Sequence, residues 1–393
     1  MASKQPGKNL NRRNFLKAGA AGIGSFCLAG LYGCAPLEEQ AEKPSGPKEQ
    51  VAQKGLIKTK RSPWYRELTG DKIRCELCPK ECELKDGERA LCRVRENRGG
   101  SCYSLAYGNP ALVQEDPVER KPFFHVLPGS RALSLSTAGC NLACKFCEVW
   151  DMALVDPEEV HAYDMPPERV LEHAGGGEVR SISYAFGEPV THYEYTAAVA
   201  ALARKEGYLN LMHTACYINR EPLEELLALI DAFNVDLKGF DEDFYRDYVD
   251  GTLQTVLDNL KLIRKAGVHL EITTIVIPTL NDDMAKIREM CEWIAYELGP
   301  DVPLHLARFY PLHKLSALPR TPASTLDEAR NTALDAGLHY VYVARVTGHE
   351  GENTYCPQCK AKVVAREGFV IDEINMAGGA CGSCGAEIPG LWS

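Results

Sequence analysis

From Arg131 onward the chain alternates between two periodicities, and this limits its possible folds more than any other feature. Apolar, β-rich runs recur at Ala132–Ser136, Val179–Tyr184, Leu209–His213, Ala232–Leu237, His269–Ile277 and Pro303–Phe309. Stretches of helical period lie between them. Leu223, Leu226, Leu227 and Ile230 make one apolar face, and Ile287, Met290, Cys291, Ile294 and Leu298 make another, which places Cys291 in the core rather than at a metal. A last helical stripe near Leu326–Ala336 precedes Tyr340–Val346. Strands that alternate with helices build a parallel sheet, because each helix carries the chain back to start the next strand. The expectation is therefore an α/β fold over residues 126–350, six strand–helix units curled into a partial (β/α)6 barrel. Chemistry in such folds gathers where the strands end, so the residues just after each run are the candidates.

The first such loop, Thr137–Trp150, reads TAGCNLACKFCEVW. Cys140, Cys144 and Cys147 stand in a C-x3-C-x2-C arrangement, with Phe146 before the last thiol. Three thiolates can hold three irons of a cubane cluster and leave the fourth iron open for a ligand. The competing reading is a zinc knuckle, but a structural zinc takes four ligands. The later strand ends are polar. Phe186-Gly187-Glu188-Pro189 joins a glycine, which lets backbone approach a ligand, to a carboxylate that can accept from an ammonium. Thr214-Ala215-Cys216-Tyr217 follows the third run. Asp236 and Lys238 lie two apart and face the same side of their strand, as a ligand-binding pair or as an ordinary ion pair. Pro278–Asp282 is a turn with a helix N-cap. His305, Arg308, Tyr310 and His313 end the sixth run.

Sixteen cysteines are many for 393 residues, and most fall in short clusters that suit metals. In residues 61–125, Cys75, Cys78, Cys82 and Cys92 run C-x2-C-x3-C-x9-C, which suits a zinc ion, a second cubane, or disulfides formed after export. Cys102 is left unassigned. In residues 351–393, Cys356-x2-Cys359 and Cys381-x2-Cys384 resemble the two knuckles of a zinc ribbon, with a rubredoxin-like iron as the other choice. Ahead of these units, Asn11–Lys17 reads NRRNFLK, close to a twin-arginine export pattern. The run Ala18–Leu31 that follows is too short to span a bilayer. LYGC then resembles a lipoprotein box, with Cys34 as the lipidated residue and a membrane tether. Residues 1–34 are thus expected to be an export signal, and 35–60 a charged, Pro-rich flexible tether. A net charge of −10 leaves no basic footprint for nucleic acid.

Taken together, Arg74 to Trp392 resembles the radical S-adenosylmethionine (SAM) enzyme of the AmmeMemoRadiSam system, which is related to pyruvate formate-lyase activating enzymes. The stretches that carry the resemblance are RCELCPKECELKDGERALCRVRENRGG, ERKPFFHVLPGSRALSLSTAGCNLACKFC, FNVDLKGFDEDFY, ITTIVIPTLND and GHEGENTYCPQC. The chain departs from its relatives at CEVWDMA, at FGEP in place of a GGEP-type motif, and at Ala215-Cys216, where Thr-Asn-Gly-Tyr is usual. The resemblance implies a [4Fe–4S] cluster on Cys140, Cys144 and Cys147 whose open iron takes SAM. It implies that Gly187, Glu188, Asp236 and Lys238 position SAM, with Phe146 near its adenine and His313 in contact. It further implies a 5′-deoxyadenosyl radical, a low-potential electron donor, and an unidentified substrate that includes the option of a protein such as a Memo-like or AMMECR-like partner. The alternative is an exported iron–sulfur electron-transfer subunit without SAM chemistry. The need for SAM and a strong reductant argues for the cytoplasm, against the export signal.

Overall fold

The computed structural model describes residues 51–393. The twin-arginine stretch, Cys34 and the expected tether up to residue 50 lie outside the described residues. Residues just beyond that point are already paired. Gln53–Lys54 runs antiparallel to His161–Ala162, and Lys58 bridges to Ala106.

One eight-stranded sheet organises the chain. Its strands are β1 (Leu112–Pro117), β2 (Arg131–Ser136), β3 (Val179–Tyr184), β4 (Leu209–Thr214), β5 (Ala232–Asp236), β6 (His269–Val276), β7 (Leu304–Arg308) and β8 (Val341–Ala344). They lie in sequence order, so each crossover is short and each strand pairs with its predecessor. β2 to β8 are mutually parallel; β1 alone is antiparallel, at the edge beside β2. The six expected runs are β2 to β7, and Val341–Ala344 adds a seventh parallel strand. Helices α1 (Pro167–Ala174), α2 (Tyr193–Lys205), α3 (Arg220–Leu227), α4 (Leu253–Lys265), α5 (Met284–Trp293) and α6 (Ala323–Asp335) cover one face. Their buried stripes are those the periodicity predicts. Leu223, Leu226, Ile287, Met290 and Ile294 are buried, and Cys291 packs among them with no exposure.

The other face carries polar side chains. Glu271 on β6 is fully buried and accepts from the Phe124 and His125 backbone N–H groups at 3.0 and 2.9 Å; His305 lies 2.6 Å away and His269 3.1 Å away. Burial opposes its charge, but the His269 and His305 contacts hold its carboxyl well below the usual range. Thr273 donates to Asn234 at 2.8 Å, and Asn234 donates to the Pro122 carbonyl at 2.8 Å. These bonds fix the Val118–Ser130 connection against the inner side of the sheet.

Two smaller units flank the sheet. Before it, Lys60–Arg61, Ser101–Ser104 and Arg95–Arg98 form one three-stranded sheet, and Tyr65–Glu67, Ile73–Cys75 and Glu83–Leu84 form another. After it, Thr354–Tyr355, Lys362–Glu367 and Val370–Ile374 form a third. Val363, Cys356 and Cys381 of that last unit share a core with Phe124, Tyr340 and Tyr342.

Candidate functional site

A cavity of about 550 Å³ opens at the ends of the parallel strands. Residues from or just after every strand from β2 to β8 reach it, so the sheet curves around it. Cys140, Cys144 and Cys147 all line its wall, on the loop after β2. The loop is held from both ends: Ala143 and Lys145 donate backbone bonds to the Val249 and Tyr248 carbonyls, and Asn141 donates to the Tyr217 carbonyl at 2.6 Å. The Leu142 N–H points at the Cys140 sulfur, 3.4 Å away. Burial pushes the Cys140 thiol well up and the Cys144 thiol to about 12, with Lys238 acting against the shift at Cys144. Neutral thiols in such a setting ionise when a metal replaces the proton. Phe146 packs on Phe244, ring centroids 6.0 Å apart, and also lines the cavity.

The turn after β3 is tightly made. Phe186 has φ +72, in the left-handed region, and its ring faces the cavity with Arg120 and Lys121 over it at 5.4 and 5.9 Å. A side chain at Gly187 would place its Cβ 2.3 Å from Ser136 Oγ, so any other residue would displace the Ser136 hydroxyl, and the Gly187 backbone faces the cavity. Glu188 accepts from the Thr214 hydroxyl at 2.6 Å and from the Ala215 and Val190 N–H groups at 2.9 and 3.1 Å. Burial raises its pKa against these donors. The carboxylate thus ties the β3 turn to the β4 turn. Cys216, where the resembling family has glycine, takes φ +54 and is held by the Asn259 side chain, which donates to its carbonyl at 2.9 Å.

Asp236 ends β5 between two partners. Lys238 Nζ donates to Oδ2 at 2.8 Å, and His213 Nε2 lies 2.9 Å from Oδ1. Burial pushes the carboxyl up, yet Lys238 and His213 outweigh it and hold Asp236 well below the usual carboxylate range. Lys238 is held charged by the same contact despite burial.

Eight of the nine predicted site residues on the central sheet therefore face one cavity: Cys140, Cys144, Cys147, Phe146, Gly187, Glu188, Asp236 and Lys238. His313 is not among the cavity-lining residues. It sits at φ +50 and stacks on Trp150, ring centroids 5.4 Å apart, while Tyr310 and Leu312 line the cavity in its place. Sequence reasoning missed His213, Phe186, the Glu119-Arg120-Lys121 segment, and Gly368 and Phe369 from the C-terminal hairpin. The ERKPFF stretch was the one available signal for the Glu119 group.

Away from the cavity, Cys356, Cys359, Cys381 and Cys384 bring their sulfurs within 4.8 Å of one another. Cys356 and Cys384 are 3.6 Å apart, and Cys359 and Cys381 3.7 Å. Sulfurs at tetrahedral corners, each about 2.3 Å from an ion, stand about 3.8 Å apart. Cys75, Cys78, Cys82 and Cys92 lie together in the N-terminal unit, all as free thiols.

A model of the Radical SAM superfamily matches residues 134–291. An uncharacterized protein of Methanocaldococcus jannaschii is 40% identical over 327 residues, covering 83% of this chain and 97% of that protein. The pyruvate formate-lyase-activating enzyme of Clostridium pasteurianum is 27% identical over 173 residues, covering 42% of this chain and 70% of the enzyme. The (2S)-3-sulfopropanediol dehydratase activating enzyme of Klebsiella oxytoca is 27% identical over 128 residues, 33% of this chain and 39% of the enzyme. The matched span begins within β2 and ends in α5, so it encloses the thiol loop, the β3 turn and the Asp236–Lys238 pair that share the cavity. On these grounds the chain belongs to the radical SAM superfamily and is an enzyme of that kind, whose cofactors are a [4Fe–4S] cluster and SAM.

Proposed function

We propose that the chain is an activating-enzyme-like radical SAM enzyme, of the kind found in the AmmeMemoRadiSam system, that abstracts hydrogen from a polypeptide substrate. The observation that carries this reading is the meeting of three thiols and the Asp236–Lys238 pair on one cavity wall. The donor set fits the cluster: soft sulfur ligands for three irons, with the fourth left for SAM. When bound, the pair of cofactors supplies one-electron cleavage of the SAM sulfonium and so a 5′-deoxyadenosyl radical. The protein orients and shields. Cys140, Cys144 and Cys147 hold the cluster. Lys238 would pair with the SAM carboxylate, and Asp236, anchored by His213, would accept from the ribose or ammonium. Glu188 fixes the turn that presents the Gly187 backbone, and Phe146 closes the apolar side. The activating enzymes among the relatives support the choice of a protein substrate; a Memo-like or AMMECR-like protein is the first to try. A bare electron-transfer subunit would have no use for the Asp236–Lys238 pair in the cavity.

Anaerobic incubation with SAM and dithionite should yield 5′-deoxyadenosine. Cys144→Ala should abolish this while the fold remains, because the thiol sits at the cavity wall rather than bracing the sheet. Continued 5′-deoxyadenosine formation by that variant would sink the assignment.

We also propose that the C-terminal sulfurs hold zinc, to be checked by metal analysis of the isolated protein. A third proposal is export through the twin-arginine route, with lipidation at Cys34. Arg12→Lys with Arg13→Lys should then keep the protein in the cytoplasm. An unchanged distribution on fractionation would leave the cytoplasmic alternative standing.

A further inference from the structure

We infer that the N-terminal unit holds a second [4Fe–4S] cluster, ligated by Cys75, Cys78, Cys82 and Cys92, which passes electrons to the Cys140 site. The ligand assignment stands by itself; the electron route rests on the function proposed above.

The thiols are built as ligands. Cys75 and Cys92 are buried, and Cys78 and Cys82 half-buried. A backbone N–H two residues on faces the sulfur at three of them: Leu77 at Cys75, Lys80 at Cys78 and Val94 at Cys92. The same arrangement recurs at Cys140 with Leu142 and at Cys147 with Val149. Such donors stabilise metal-bound thiolate.

The spacing argues against a single tetrahedral ion. A single tetrahedral ion draws its sulfurs together, as at the C-terminal site. Among the described residues, no three sulfurs of the N-terminal unit come within 4.8 Å of one another, and neither do those of Cys140, Cys144 and Cys147. A cubane puts each thiolate on its own iron and so holds them farther apart.

A buried cation lacks an acceptor there. Arg95 is 1% exposed. Its terminal nitrogens are satisfied by Glu194 at 2.6 and 2.8 Å, Ser62 at 2.9 Å and the Thr191 carbonyl at 3.3 Å. Its Nε has no partner, although its charge acts on Cys75, Cys92 and Cys102. A buried donor left without an acceptor is destabilising, so the site calls for an acceptor there. A cluster sulfide or thiolate would accept from it, and the guanidinium would offset the cluster's negative charge.

The unit also touches the catalytic loop on both sides of Cys140. A Cβ at Gly139 would lie 2.7 Å from the Cys92 carbonyl oxygen and 2.8 Å from Val94. The Asn141 amide, which donates to the Tyr217 carbonyl at 2.6 Å, lies beside the Cys78 thiol. A low-potential one-electron donor, a reduced flavin or iron–sulfur protein, would take the N-terminal cluster from the 2+ to the 1+ state. Passing that electron on restores 2+, with no bond made or broken.

The test uses the full chain, reconstituted with iron and sulfide under anaerobic conditions. Wild type should bind about eight irons, and a Cys140→Ala, Cys144→Ala, Cys147→Ala variant about four, with a cubane EPR signal on reduction. Cys78→Ser with Cys82→Ser should lose the other half of the iron. Reduced wild type should show EPR lines broadened by spin coupling, which both variants lose. Zinc with almost no iron in the triple variant, unchanged iron in the Cys78→Ser, Cys82→Ser protein, or a Cys75–Cys102 disulfide found by peptide mapping would each overturn the ligand assignment. Uncoupled EPR signals in an eight-iron protein would overturn the electron route. A triple variant that keeps its cluster while wild type makes no 5′-deoxyadenosine would sink the proposed function and leave the second site intact.

Discussion

Glu119 is 1% exposed, accepts from the Gly129 N–H at 2.9 Å through one oxygen, and leaves the other without a partner. Burial raises its pKa to about 7, against the pull of Arg366. The sign follows from linkage: a carboxyl whose folded pKa is raised favours the folded state when protonated. Its contribution is fully present below pH 4.5 and lost as the pH rises through 7. Glu119→Gln should therefore stabilise the protein at pH 8 by on the order of 3 kcal/mol, with the difference vanishing below pH 4.5. Urea midpoints at pH 4.5 and 8 check this, and a pH-independent gap would show that Glu119 is not held as an acid. At this scale the sequence was legible where chemistry lies in a motif and silent where it lies in a contact. The thiols, Gly187 and the Asp236–Lys238 pair could be read directly. That Glu188 spends its carboxylate on Thr214 and Ala215 could not, because the bonds join turns 26 and 27 residues apart. That the His313 ring stacks on Trp150 was equally invisible, because the two residues lie on loops after different strands.

Among the elements, the parallel strands were legible because each carries buried apolar residues at strand spacing between stretches of helical period. β1 was not. It is half-buried, its sequence LVQEDP reads as polar, and it runs antiparallel at the edge. The loop after β2 depends on a contact equally invisible in sequence. Gly139 has φ +98 and no room for a side chain beneath Cys92 and Val94. Gly139→Ala combines left-handed strain with a backbone clash, and should cost about 2–4 kcal/mol. Because the strain falls one residue before Cys140, iron at the catalytic site should fall with it. Iron content and thermal midpoint measured together decide the matter. A variant with full iron and wild-type stability would mean that the N-terminal unit can move away from the loop.

For the molecule as a whole, the C-terminal hairpin unit behaves as part of the main body rather than as an appendage. Leu127 donates to the Leu391 carbonyl and Leu391 to the His125 carbonyl, both at 2.7 Å, and Arg366 donates to the Phe124 carbonyl at 2.7 Å. Phe124 in turn leads into the Glu271 cluster beneath the cavity, while Gly368 and Phe369 form part of the cavity wall. Sequence reading placed the four cysteines but made the unit separate, since nothing local marks a hairpin that reaches the cavity. If the C-terminal sulfurs hold an ion, as proposed above, the contacts predict that its loss is felt throughout. Cys381→Ser with Cys384→Ser removes half of the sulfur set without a chelator that would also strip iron. Loss of a structural ion costs several kcal/mol, so the melting midpoint of the entire 51–393 unit should fall by roughly 5–10 °C in a single transition. The wall at Phe369 should loosen with it, and SAM binding should weaken although no SAM-facing residue has changed. Calorimetry and limited proteolysis separate the outcomes. Release of a fragment starting near residue 351, from a remainder that melts at the wild-type temperature and still binds SAM, would show that the hairpin unit is an independent domain.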